Sequence, residues 1–251
     1  MVDKEQVNFR KITIKHERQI MNKIKTMLIA LIAITAFSTY SLAGQIGFGV
    51  TGSLASITAE GSEKEGTAAE QNNKATAGNT AMIGSLFAEY TFGGDHGLTF
   101  GVDHIPGSAQ ISSSKLSRTD IQTSVEGTAT AVSTSLTRSA QAEIDNIYTY
   151  YAELPIHAGL YVKAGLTQMD VTTKALEGTR KYGNKTLDGA MWGVGYKHSN
   201  DNGWYYKVEG TTTDFDTYKS NEANQTANSI QNSVSADLDV TKATFALGYA
   251  F

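Results

Sequence analysis

The chain has 251 residues, with 24 Gly, 2 Pro and no Cys, and a net charge of −4. Without Cys there is no disulfide framework, no thiolate metal site and no thiol nucleophile. Hydrophobic residues make up 40% of the chain, and no apolar run reaches the roughly 20 residues that a spanning helix needs; a soluble β-domain or a membrane barrel, whose spanning segments are only half apolar, remains.

The first element is the apolar run Met27 to Phe37 (MLIALIAITAF), with Lys23 and Lys25 before it and Ser41-Leu42-Ala43 after it. A basic start, a short apolar core and a small-x-small site form a secretory signal peptide. Cleavage is expected after Ala43, so that the mature chain begins at Gly44. Signal peptides start at the initiator Met, which makes Met21 the expected start, residues 21–43 the peptide, and the polar, aperiodic residues 1–20 a non-native extension. Residues 1–43 hold 7 of the 21 Lys+Arg and 3 of the 25 Asp+Glu, leaving 14 and 22, or −8, on the exported part. An acidic exported domain has no electrostatic footprint for nucleic acid.

From Gln45 onward the pattern is alternation of period two. Ile46, Phe48, Val50 and Leu54 share one face of the first strand. Met82, Leu86, Ala88, Tyr90 and Phe92 form the second; Leu98, Phe100 and Val102 the third; Tyr148, Tyr150, Ala152, Leu154 and Ile156 the fourth. Leu160, Val162, Ala164 and Leu166 mark the fifth, Trp192, Val194 and Tyr196 the sixth, Trp204, Tyr206 and Val208 the seventh, and Ala243, Phe245, Leu247, Tyr249 and Phe251 the eighth. Short turn clusters (Gly93–Gly97, His157–Gly159, Ser199–Gly203) alternate with long connections, roughly 59–79, 105–143, 171–186 and 217–235. Short periplasmic turns and long outer loops are the asymmetry of bacterial barrels. The fold expected is all-β, an eight-stranded antiparallel up-and-down transmembrane barrel over residues 44–251. A soluble sandwich is the alternative; it would space its turns more evenly.

The opposite face of the strands is small or charged. Gly47, Gly49, Gly101, Gly165, Gly193, Gly195 and Gly248 suit a narrow barrel filled by side chains. Glu89, Asp103, Glu153 and Glu209 fall on that face with Lys163, Lys197, Lys207 and Lys242. Four acids and four bases predict a paired interior network, because an unpaired buried charge is costly. Asp103, Lys197 and Lys242 are expected nearest the water-facing rims.

The last strand, Phe245, Leu247, Tyr249 and Phe251, resembles the terminal signal that outer-membrane barrels present to their assembly machinery. With the signal peptide and eight strands, residues 44–251 resemble the small OmpX-, OmpA- and OmpW-type outer-membrane barrels. The resemblance implies the outer membrane of a Gram-negative bacterium, and as partners outer-membrane lipid, lipopolysaccharide, the assembly machinery and periplasmic chaperones, with the barrel a monomer. It implies a structural or surface-binding role through long outer loops, with a small porin or OmpW-like conduit for small or apolar solutes as the alternative. Residues 106–143 partly alternate around Glu126-Gly127, as a protruding hairpin would. Lys174, Arg180, Lys181 and Lys185 make the third long loop basic, a charge suited to lipopolysaccharide phosphates.

No cofactor or metal is expected, since no His/Asp/Glu cluster repeats on one face. No enzymatic activity is expected either. Lipid A chemistry would need a nucleophile and base in reach of each other, and only His104, with Ser108 or Ser112, comes near that pattern.

Overall fold

In a computed structural model the described residues are 44–64, 72–93, 97–112, 116–124, 132–177, 182–221 and 233–251. The signal peptide, the cleavage site at Ala43 and the basic pair Arg180-Lys181 lie outside them. The strands are β1 (Gly44–Lys64), β2 (Asn72–Phe92), β3 (Thr99–Gln110), β4 (Leu116–Ser124), β5 (Val132–His157), β6 (Leu160–Glu177), β7 (Lys185–Ser199), β8 (Trp204–Phe215), β9 (Tyr218–Asn221) and β10 (Ser233–Ala250).

All pairings are antiparallel. The ring runs β1-β2-β3-β5-β6-β7-β8-β10 and closes by pairing β10 with β1, Gly47 opposite Ala250 up to Lys64 opposite Ser233. β4 prolongs the stave of β3 along β5, and β9 prolongs that of β8 along β10. Ten strands therefore make eight staves, and closure removes the free edges that an open sheet would present. The turn between β5 and β6 is tight: Ala158 and Gly159 both have positive φ, 50° and 86°, the backbone that a two-residue hairpin needs to match strand twist.

The outer face carries the apolar residues. Phe48, Val50, Leu54, Leu86, Leu154, Val194, Val208, Phe245 and Leu247 are all exposed. On β1 this belt runs from Ile46 to Leu54, then turns polar at Ser56, Thr58 and Glu60. Nine residues of tilted strand match the 9–11 that cross a bilayer. The lower end carries an aromatic girdle. Tyr90 meets Phe92 at 4.7 Å between centroids, Trp204 meets Tyr249 at 5.3 Å, and Tyr249 meets Phe251 at 4.9 Å. Amphipathic rings favour the headgroup level.

The strands run well past this belt, and this corrects the expected connections. β1 continues to Lys64, β2 begins at Asn72, β6 reaches Glu177 and β10 begins at Ser233. The reason is a change in which side is apolar. Above the belt the inward residues Ile57, Ala59, Ile144, Met169, Val171, Leu187, Phe215 and Leu238 form a buried cluster, while the outward ones are polar. This upper half has the inside-out relation of a water-soluble barrel. On β5 the change comes with a bulge between Asp145 and Tyr148, where Asn146 has φ 54°; a bulge shifts every later side chain to the other face. The hairpin expected within residues 106–143 is present as β4 against β5, Ser124 opposite Val132.

The belt predicts a depth dependence. Val50→Arg, mid-belt, should destabilise the barrel by about 2–4 kcal/mol, and Leu54→Arg, at its upper margin, by about 1 kcal/mol or less. Unfolding in urea from lipid vesicles measures both.

Candidate functional site

Within the belt the bore is filled by charge. Lys207 sits at the centre, 1% exposed. Its Nζ donates to Glu153 Oε1 and Oε2 at 2.9 Å each and also to Glu89. Lys163 donates to Glu209 Oε2 at 2.8 Å and pairs with Glu153 at 3.5 Å. Lys197 reaches Glu89 Oε1 at 3.5 Å. Lys197 and Lys207 are register partners, and like charges facing across a ladder repel; Glu89, from the far side of the bore, bonds both. Three acids and three bases thus satisfy one another without a net charge, as enclosed ions must.

Three tyrosines complete the plug. Tyr151 donates to Glu89 Oε2 at 3.1 Å, and Tyr161 to Glu209 Oε1 at 2.5 Å. The Lys163 ammonium lies 3.9 Å from the centroid of Tyr151, and that of Lys197 lies 4.4 Å from the centroid of Tyr205. Each ring lies over a glycine on the neighbouring stave. Tyr151 is opposite Gly101, Tyr161 opposite Gly195 and Tyr205 opposite Gly248. A Cβ at those glycines would stand 2.3, 2.4 and 2.3 Å from the ring atoms. The inward glycines are therefore slots for tyrosines.

A wall apolar towards lipid and ionic towards its bore leaves one solvent arrangement. The chain is a membrane-spanning β-barrel. No family model matches it, and no curated protein is similar to it in sequence. Among solved structures, the barrel is similar to the outer membrane protein OprG of Pseudomonas aeruginosa, at 13% identity over 82% of this chain and 95% of that one, with a TM-score of 0.44. It is also similar to the outer membrane protein AlkL, at 13% identity over 83% and 90% with a TM-score of 0.40. The outer membrane protease OmpT of Escherichia coli matches at 9% identity over 85% and 100%, with a TM-score of 0.38. At such identities and scores no activity or ligand carries over from them.

The eight charged residues divide six to two in the barrel. Glu89, Glu153, Glu209, Lys163, Lys197 and Lys207 form the plug. Asp103 and Lys242 lie outside its mutual pairing. The rim positions expected for Asp103 and Lys197 are corrected: they are 9% and 7% exposed, because the strands continue above Asp103, while Lys197, near the lower end of β7, turns into the plug against Glu89 and the Tyr205 ring. The terminal set Phe245, Leu247 and Tyr249 faces outward on β10 and pairs with both β1 and β8, with Phe251 just beyond it.

Above the plug the wall is broken. β2 and β3 pair only from Thr91 opposite Thr99 to Leu86 opposite His104. Higher up, β2 bonds β1 and β3 bonds β5, with Pro106 and Gly107 bulged out of register between Ile105 and Ser108. The seam is bridged again where Asn79 Nδ2 donates to Gln110 O at 2.8 Å. Behind this window lies a cavity of about 200 Å³, lined by Ile57, Met82, Ile83, Ile105, Ile144, Met169, Phe215 and Val240, with Lys242 at its floor. Non-helical backbone without ladder partners is tolerated at membrane depth only where it lines a cavity or is buried in protein.

His104 is engaged beside this window. Its ring stacks on Tyr148 at 4.2 Å, and its Nδ1 is 3.3 Å from Ile147 O. Among the described residues no group of three or more acidic or His side chains is placed to hold a metal. Outside the belt, Lys174 pairs with Glu143, and its ammonium holds that carboxyl below the usual range. Lys185 lies 5.9 Å from the Tyr218 centroid, so two of the four basic residues of the third loop have partners within the protein.

Proposed function

We propose that this barrel exchanges an apolar solute sideways, between the cavity above its plug and the outer leaflet, and does not pass ions along its axis. The observation that carries this reading is the broken β2–β3 seam with an apolar cavity directly behind it. Unpaired strand edges facing lipid are costly, and a barrel meant only as a staple gains nothing from them. The neutral plug below supports the second half of the reading, since Tyr151, Tyr161, Tyr205 and six paired charges pack into the bore within the belt.

Filling the window tests it. Gly84→Trp combined with Ser108→Trp should lower exchange of an apolar fluorophore between vesicles and the barrel several-fold, with heat-modifiable gel mobility unchanged. Exchange at the original rate in a folded double variant would end the reading. The surface-binding alternative rests on a different observation, the β4–β5 hairpin, where β4 has β5 as its one partner among the described residues. Deleting residues 116–135 should leave exchange intact under the present reading.

A further inference from the structure

Two charges in the bore take no part in the plug. Asp103, on β3, accepts a hydrogen bond from Ser85 at its Oδ2, 2.5 Å away, while its Oδ1 is buried without a partner. Thr211, beside Lys242 in register on β8, also has a buried hydroxyl without a partner. Lys242 lies on β10, and among the described residues it forms no ion pair with Asp103. Both line a small cavity of about 20 Å³ on the upper surface of the plug. Lys242 also floors the larger apolar cavity behind the window, so the two spaces share one wall residue.

Unpartnered buried polar atoms are exceptions that call for an occupant. The occupant here must present a donor to Asp103 Oδ1 and an acceptor to Lys242 Nζ within a volume of one small group. It must also be uncharged, because the plug below is neutral and Asp103 and Lys242 balance each other; an added carboxylate or ammonium would leave one net charge enclosed. Above it the lining is mostly aliphatic with the Phe215 ring, joined by the side chains of Ser108, Thr167 and Thr213. The geometry points to an amphiphile with a single hydroxyl head, a medium-chain alcohol in chemical class, whose oxygen bridges Asp103 and Lys242 and whose chain fills the apolar cavity. This rests on the sideways-exchange reading and names its substrate class.

The test uses the folded barrel in lipid nanodiscs and a decanol carrying a diazirine at the far end of its chain. After photolysis, label is mapped by peptide mass spectrometry. Label is expected on the upper bore, near Met169 and Phe215, and unlabelled decanol should displace it about tenfold better than decane or decanoate, the worth of one hydrogen bond to a charged group. Asp103→Asn, and Asp103→Asn with Lys242→Met, should abolish that preference while heat-modifiable mobility is retained. A preference for decanol that survives both variants, or decanoate displacing best, overturns the head-group site and leaves sideways exchange standing. Absence of upper-bore labelling by the alcohol probe and by a diazirine alkane alike overturns both.

Discussion

Lys207→Met should destabilise the barrel by about 3–5 kcal/mol, the cost of leaving buried charges without their counterion. Lys207 alone bonds both Glu89 and Glu153. Without it Glu153 keeps as counterion only Lys163, at 3.5 Å, and Glu89 keeps only Lys197, at 3.5 Å, beside the hydrogen bond from the Tyr151 hydroxyl. The companion variant Lys207→Met with Glu153→Gln should recover much of the loss, since it removes an acid together with the base. Urea unfolding from vesicles, followed by tryptophan fluorescence, gives both values and their coupling. A single variant as stable as the original would mean that water reaches the plug and screens it.

Gly195→Val should be about as damaging, by a different route. Its first added carbon would meet the Tyr161 ring at 2.4 Å, and the ring has nowhere to go. Tyr161 is buried and held to Glu209 by its hydroxyl. Overpacking costs about 1–3 kcal/mol, and displacement of the ring also breaks a hydrogen bond to a charged group worth about 1.5–3 kcal/mol. Tyr161→Ala in the same chain should relieve the clash, so that the double variant is less impaired than the sum of the two singles. Simple additivity would show that the ring and the glycine slot do not depend on each other.

The belt was readable from the sequence because each spanning stave repeats one rule. Ile46, Phe48, Val50 and Leu54 take one parity while Glu89, Glu153 and Lys163 take the other on their own strands, and lipid outside a narrow ionic bore leaves no other arrangement. The upper half was harder to read because the rule reverses there. On β1 the apolar residues pass from even positions, ending at Leu54, to odd ones at Ile57 and Ala59; a reading that follows one parity sees the strand end and a loop begin. Met169 and Val171 on β6, and Leu187 on β7, carry the same reversal and were the available signal. The bulge at Asn146 hid it on β5, since the inserted residues return Ile144 to the parity of Tyr148 while turning it inward.

The plug was half legible. Charge counting finds the acids and bases, but Tyr151, Tyr161 and Tyr205 look like ordinary strand aromatics until the pairing register sets each against Gly101, Gly195 or Gly248. Register between strands far apart in sequence is not written in either strand alone. The window was not legible at all. Pro106-Gly107 reads as the start of a loop, and only the pairing shows that β2 and β3 part company above Leu86 while each keeps its other neighbour.

The chain has two tryptophans, and both stand on the outer wall, Trp192 at 66% exposure and Trp204 at 49%. Their fluorescence in vesicles of brominated phosphatidylcholine is the most direct check on which face meets lipid. Strong quenching by brominated acyl chains, with little by aqueous acrylamide, is the predicted result. Efficient acrylamide quenching of both residues, unaffected by bromine in the lipid, would place the apolar wall in water or in a protein core and contradict the account.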